Sequence, residues 1–244
     1  MTSLRLPSSA PFLLLAALSL FHPGAFAQQS GFKLKQGQAI LFLGDSITQA
    51  GAQPEGYVSL FKLFCGVNGY DVRVVNAGIS GHKSNDMLAR LDIDVLAHRP
   101  DWVSISCGVN DVWHGERGVP LPDYKKNMTE MVDRCRKGGA KVLLLTATPI
   151  YENLNSPENQ NLRGYNEFLR QLATEKNVLL CDLFKAFEGV YKAKTSDEKV
   201  LTTDGVHMNG RGNRLMAREI LRVLGASSDE MEDAENRWEL VNNP

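Results

Sequence analysis

Five short apolar runs, at residues 39–43, 72–75, 102–107, 142–145 and 178–181, most constrain what this chain can become. Each is strand-length and nearly continuous in apolar character, the pattern of strands covered on both faces. Helical periodicity fills the intervals between the later runs. Tyr124, Met128, Met131, Val132 and Cys135 fall at i, i+4, i+7, i+8 and i+11, after Pro122-Asp123 and before Gly138-Gly139. Leu162, Tyr165, Phe168, Leu169 and Leu172 repeat the stripe. A last helix opens at Asn209, read as an N-cap, and carries Ala217, Ile220, Leu221 and Leu224 on one face. Strand and helix alternating in this way predict right-handed βαβ units, and hence an α/β fold with a five-stranded parallel sheet between two helix layers.

Both ends of the chain differ from this middle. Arg5 is followed by ten residues, Phe12 to Phe21, of which only Ser19 is polar, then by Pro23-Gly24 and Ala25-Phe26-Ala27. A basic start, an apolar stretch and a small-x-small site read as a secretory signal over residues 1–27, cleaved before Gln28. A membrane anchor would need about 20 apolar residues. The expectation is therefore export to a periplasmic or extracellular space, with no stable membrane insertion after cleavage. Residues 28–225 form one predicted domain with no internal linker, and residues 226–244 an acidic tail. Between Asp229 and Glu239 stand six acidic residues and one arginine, which read as a frayed segment, with docking through Trp238 as the sharper alternative.

Composition closes several other routes. Hydrophobic residues make up 43% and charged residues 23%, which excludes a disordered, collagen-like or coiled-coil chain. Losing Arg5 with the leader takes the basic count from 27 to 26 against 28 acidic residues, so no basic excess points to nucleic acid. Export permits disulfides, yet Cys65, Cys107, Cys135 and Cys181 all lie in or beside apolar runs and read as buried small hydrophobes. No cysteine or histidine spacing resembles a zinc site. Nothing in the sequence sets an oligomeric state.

In an open parallel sheet, ligands gather beyond the carboxyl ends of the strands, where strand order reverses. If the order is 2-1-3-4-5, three loops become neighbours: Gly44-Asp45-Ser46-Ile47-Thr48, Asn76-Ala77-Gly78 and Gly108-Val109-Asn110-Asp111. A serine hydroxyl, a glycine amide and an asparagine amide would then converge. Acyl transfer needs this set: a nucleophile, and donors for the oxyanion that forms when it attacks. Ser46 is the candidate nucleophile, and the amides of Ser46 and Gly78 with the Asn110 side chain are the candidate oxyanion donors. The base should be a histidine with a carboxylate behind it. His207 follows Asp204 by three residues, with Gly205 between them to turn the loop. His82, Trp113, His114 and Tyr151 lie just beyond the motif loops and are candidates for the substrate pocket. Asp45 and Asp111 read as acceptors for loop amides in preference to metal ligands.

These residues carry a family resemblance. The blocks GDSIT at 44–48, NAGISG at 76–81, GVND at 108–111 and DGVH at 204–207 resemble, in order and spacing, those of the SGNH hydrolases, also called GDSL esterases and lipases. The resemblance implies a flavodoxin-like three-layer α/β/α fold and a Ser46–His207–Asp204 triad. It also implies an oxyanion site of Ser46, Gly78 and Asn110, and no metal or organic cofactor. Cys107, standing before the third block's glycine, departs from the family's usual leucine-like residue.

The reading that follows is an exported serine esterase acting through an acyl-enzyme on a small-molecule or polysaccharide ester. The loops after the motifs are short and polar with single aromatics, which tilts the expectation toward acetyl esters of carbohydrates. A lysophospholipase or thioesterase of the same family is the nearest alternative. A metal-dependent phosphoesterase using Asp45, Asp111, Asp204 and His207, and a non-catalytic carbohydrate-binding protein, are the readings from other classes.

Overall fold

The computed structural model of the protein describes residue 1, residues 31–195 and residues 199–241. The leader expected at 1–27 lies outside the described residues, apart from Met1. The first half contains β1 (Ala39–Gly44), α1 (Ser46–Ala50), α2 (Tyr57–Val67), β2 (Arg73–Gly78), α3 (Ser84–Ala89), α4 (Leu91–Asp94), β3 (Trp102–Ser106) and α5 (Val109–Trp113). The second contains α6 (Leu121–Lys137), β4 (Lys141–Leu145), α7 (Pro157–Lys176), β5 (Leu179–Cys181), α8 (Leu183–Lys192), α9 (Gly210–Val223) and α10 (Ser228–Val241).

All five apolar runs are strands, paired in parallel in the order β2-β1-β3-β4-β5. β1 and β3 are buried along their whole length, as double coverage requires. β2 is different: it lies at the edge, its residues after the exposed Arg73 are half-buried, and it runs past the apolar stretch to Gly78. That extension is driven by register, because Asn76, Ala77 and Gly78 pair with Phe42, Leu43 and Gly44 of β1. One layer contains α2 packed on α9 and α10, with α8 against α9; the other contains α3 and α7 on α6, with α5 against α7. The stripes on α6 and α7 bury Tyr124, Met128, Met131, Val132 and Cys135, and Leu162, Tyr165, Leu169 and Leu172. Asn209 caps α9 by accepting from the Gly212 amide. All four cysteines are buried and free.

The acidic C-terminal segment does not fray. It forms α10, which packs on α2, and Trp238 is 1% exposed with its indole N–H donating to the Leu60 carbonyl at 3.2 Å. Ala234, one turn earlier, is also buried. Charge is dealt with along the outer face, where Arg218 pairs with Glu235 at 2.7 Å and the Tyr70 hydroxyl bonds Glu230. Two apolar anchors at helical spacing outweigh the charge run, because the acidic groups need only reach water. Among the described residues, no helix is long and apolar enough to cross a membrane.

Trp238→Ala should cost about 3–5 kcal/mol by leaving a cavity against α2, read as a lowered urea midpoint. A loss below about 0.5 kcal/mol, the range of ordinary surface changes, would mean that α10 contributes nothing to the domain.

Candidate active site

β1 ends at Gly44 because nothing larger fits there: a Cβ at this position would lie 1.9 Å from the Thr48 Oγ1. Asp45 then caps α1, its carboxylate accepting from the Ile47 amide at 2.9 Å. Ser46 becomes the first residue of α1, where an α-helix leaves the amide without an intrahelical acceptor. Its hydroxyl lies 2.9 Å from Nε2 of His207.

His207 comes from a tight loop between α8 and α9. Asp204 Oδ1 accepts the amides of Val206 and His207, both at 2.8 Å, while Oδ2 meets the ring Nδ1 at 2.6 Å. Gly205 permits the turn with φ 103°, and the Thr203 amide closes it on the His207 carbonyl at 2.8 Å. Desolvation alone would raise the Asp204 carboxyl, but bonds from the His207 ring and from the two amides outweigh it and hold the group at about 2. It is therefore a fixed anion at any ordinary pH, and it assigns the Nδ1 proton to the His207 ring. Nε2 is left to face the Ser46 hydroxyl.

A residue that the sequence did not single out holds this loop in place. The carboxylate of Glu152, 8% exposed, accepts the amides of Val200, Leu201 and Thr202 and the Thr202 hydroxyl, each at 2.8 Å. Burial pushes its pKa up, but these donors win and the net shift is downward. Tyr151 and Glu152 both adopt left-handed backbone, with φ 64° and 52°, a conformation costly for residues other than glycine. The Tyr151 amide also donates to the Gly205 carbonyl at 2.7 Å. The strand 4 loop is thus bolted to the histidine loop at two points.

The oxyanion side departs from expectation at one residue. Asn110 sits 3% exposed on α5, donating from Nδ2 to the His82 carbonyl at 3.1 Å. Its Oδ1 lies 3.2 Å from Nε2 of His114; an amide oxygen only accepts, so His114 donates. One Nδ2 hydrogen remains for a ligand. The Gly78 amide, however, already donates to Asn76 Oδ1 at 2.9 Å, and a Cβ at Gly78 would lie 2.2 Å from the Gln49 nitrogen. Gly78 is needed for close packing of β2 against α1, and its N–H is not free. Gly81, three residues on, lies in open space at φ 78° with no acceptor for its amide among the described residues, next to the His82 that receives Asn110.

Of the expected pocket residues, Trp113 and Tyr151 do come together. The Trp113 ring lies 6.4 Å from the His207 ring and nearly perpendicular to it, and its N–H donates to the Tyr151 hydroxyl. His114 serves Asn110 as described. The ring of His82, half-buried, accepts at Nδ1 from Arg90 Nε at 3.1 Å. Asp45 and Asp111 bond loop amides, those of Ile47 and Ser84. Among the described residues, no group of three or more His, Cys, Asp or Glu is placed to hold a metal ion. Cys107 is buried with its thiol 3.5 Å from Asp111 Oδ2.

The chain is similar to several known proteins. A family model described as GDSL-like lipase/acylhydrolase matches residues 42–215. An acetylxylan esterase from Geobacillus stearothermophilus is 35% identical over 213 residues, covering 79% of this chain and 96% of that protein. Esterase TesA of Pseudomonas aeruginosa is 34% identical over 176 residues, 70% of this chain and 79% of the relative. A crystal structure of the acetylxylan esterase from G. stearothermophilus is similar with a TM-score of 0.73 at 34% identity, over 80% of this chain and 97% of that one.

Asp45, 2% exposed beside Ser46, yields a pH-dependent prediction. Burial is the main cause that raises its carboxyl from 3.8 to about 6, with Asp111 adding to it, against the Ile47 amide and His207. A carboxyl whose folded pKa is raised binds more protons folded than unfolded between those values, so its contribution to stability falls as pH rises through that window. Asp45→Asn removes the titration. The Tm of the variant relative to wild type should therefore rise between about pH 4 and pH 8, by the equivalent of up to about 3 kcal/mol. A difference that stays constant over this range would place the Asp45 titration elsewhere.

Proposed function

Since the chain belongs to the GDSL-like lipase/acylhydrolase family, we propose that it is an exported serine esterase that removes small acyl groups, acetyl above all, from carbohydrates. It is a carboxylic ester hydrolase by family; the residue roles, substrate and location are our reading. The observation that carries it is the unbroken relay from the Ser46 hydroxyl to His207 at 2.9 Å and from His207 to Asp204 at 2.6 Å.

Ser46 Oγ attacks the ester carbonyl carbon as its proton passes to His207 Nε2, and the imidazolium that forms is balanced by Asp204. Negative charge gathers on the carbonyl oxygen, facing the Ser46 amide, the remaining Nδ2 hydrogen of Asn110 and the Gly81 amide. Gly81 takes the place first assigned to Gly78. Collapse of the tetrahedral intermediate breaks the bond to the alcohol, which leaves with the proton from His207. Water then attacks the acyl-serine, with His207 again as base, and releases the acid and the free hydroxyl.

Two features support a carbohydrate ester. A cleft of 650 Å³, lined by Tyr151, Glu152, Asn153, Asn155 and Lys194 among others, meets the histidine loop through Tyr151, whose amide donates to the Gly205 carbonyl, and offers polar side chains to sugar hydroxyls. Tyr151 stands at its rim, 46% exposed, an aromatic face available to a sugar ring. The Geobacillus relative, an acetylxylan esterase, points the same way. Export rests on the leader pattern at 1–27.

Variants, substrates and a chelator test this. Ser46→Ala should lose on the order of 10⁶ in turnover and all fluorophosphonate labelling, and Asn110→Ala about 10² to 10³ in kcat with little change in KM. Asp204, held at about 2, stays ionised in the assay range, and Asp204→Asn, which removes that charge, should lower kcat by up to about 10⁴. Across nitrophenyl esters from acetate to palmitate the rate should be greatest at acetate, and acetylated xylan should release acetate. Preference for palmitate would move the protein to the lipase or lysophospholipase reading, and inactivation by a chelator with recovery on a divalent ion would replace the triad.

A further inference from the structure

Arg90 stands at the junction of α3 and α4, its side chain 11% exposed, and its guanidinium is spent almost wholly on the candidate site. One terminal nitrogen donates to the Gly44 carbonyl at 3.0 Å and to the Ala77 carbonyl at 2.8 Å. Nε donates to the His82 ring at 3.1 Å, and the other terminal nitrogen pairs with Asp94 at 3.0 Å. Gly44 is the last residue of β1, two before Ser46; Ala77 precedes the end of β2; His82 ends the turn containing Gly81. A single planar group therefore joins the nucleophile's strand, the neighbouring strand and the turn between β2 and α3.

His82 transmits that hold. Its ring must be neutral for Nδ1 to accept from Arg90, and burial, followed by the Arg90 charge, lowers its pKa and favours that form. With the ring fixed, its carbonyl is fixed too, and that carbonyl takes one of the two Nδ2 hydrogens of Asn110. The remaining hydrogen then has one direction. Resting on the esterase reading above, we propose that Arg90 is the positioning residue of the oxyanion site, aligning Asn110 through His82 and the Gly81 turn with the strand that presents Ser46. Arginine suits the role because its rigid fork makes several directed bonds at once, whereas a lysine ammonium is a compact point charge on a flexible stem.

The alternative is that Arg90 only neutralises strand-end carbonyls and stabilises the fold. Kinetics separate the two. With nitrophenyl acetate, Arg90→Met should lower kcat by about 10², the scale of losing one oxyanion donor, and leave KM within about threefold. Arg90→Lys should recover only part of this loss. Because Arg90 and Asn110 act as a unit, the double variant Arg90→Met, Asn110→Ala should fall no more than about threefold below Asn110→Ala alone. A full kcat in folded Arg90→Met, or a double variant whose loss is the product of the single losses, would overturn the proposal. If Arg90→Met does not fold, the same cycle is read with Arg90→Lys. Ser46→Ala run in parallel keeps the two questions apart: turnover that survives without Ser46 defeats the esterase reading itself, whereas turnover that needs Ser46 but ignores Arg90 defeats only this inference.

Discussion

The register of β1 between its neighbours is the constraint on which the site depends. Gly44 pairs with Gly78 on one side, and Leu43 with Ile105 on the other. Parallel pairing sends all three chains out of the same edge of the sheet, so Ser46, the turn at 78–82 and Asn110 emerge together without any long loop to gather them. A shift of one residue in β1 would exchange the side chains of the run 39–44 between the two helix layers and carry Ser46 away from both partners. The close contacts at Gly44 and Gly78, where no Cβ fits, fix this register by shape.

Three buried carboxylates beside the site are managed in two ways. Glu152 receives three amides and a hydroxyl, enough to overcome its desolvation, and works as an anionic bolt for the loop that leads to Asp204 and His207. Asp45 and Asp111 lie deeper, and desolvation outweighs the bonds they accept, with the Asp111 charge adding to the rise at Asp45, so both are raised. The difference follows from the balance of desolvation against bonds to the charged form. It also sorts their roles. Glu152 gains from being charged and holds structure, whereas Asp45, raised to about 6, carries its charge beside Ser46 at a cost in stability.

Much of this was legible in the sequence, because the signals were local or periodic. Apolar runs gave strands, stripes gave α6 and α7, Asn209 marked a cap, and the three-residue spacing of Asp204 and His207 described a loop that closes on itself. What escaped depends on contacts distant in the chain. Nothing near Glu152 says that it will accept amides about fifty residues later, since this needs two left-handed non-glycine residues and a neighbouring loop of matching shape. Arg90 looks like one more charge near a short helix until the strand ends are placed around it. Gly78 and Gly81 share one block, and only the extension of β2 through Gly78, with Asn76 curling back onto its amide, moves the open N–H to Gly81. In α10 the error was one of weight: six acidic residues read as solvated, while Ala234 and Trp238 decided the outcome.

The relay is also unusually open on its basic side. The Asp204 side chain is 50% exposed and that of His207 35%, while Asn110 is 3% exposed. Solvent at Asp204 weakens its Coulombic hold on an imidazolium, so the hold must come from direct bonds, and the short contact to Nδ1 with two amides behind it supplies them. An acid and base at the rim with donors at the floor suit a substrate whose small acyl group enters and whose bulky alcohol stays outside. In the proposed reaction the departing hydroxyl would take its proton at the edge of the site, and a polymer would not need to be swallowed to be deacylated. Tyr151, bonded to Trp113 on one side and to the Gly205 carbonyl on the other, stands where that outer part would rest, which ties the strained backbone of the strand 4 loop to the proposed choice of alcohol.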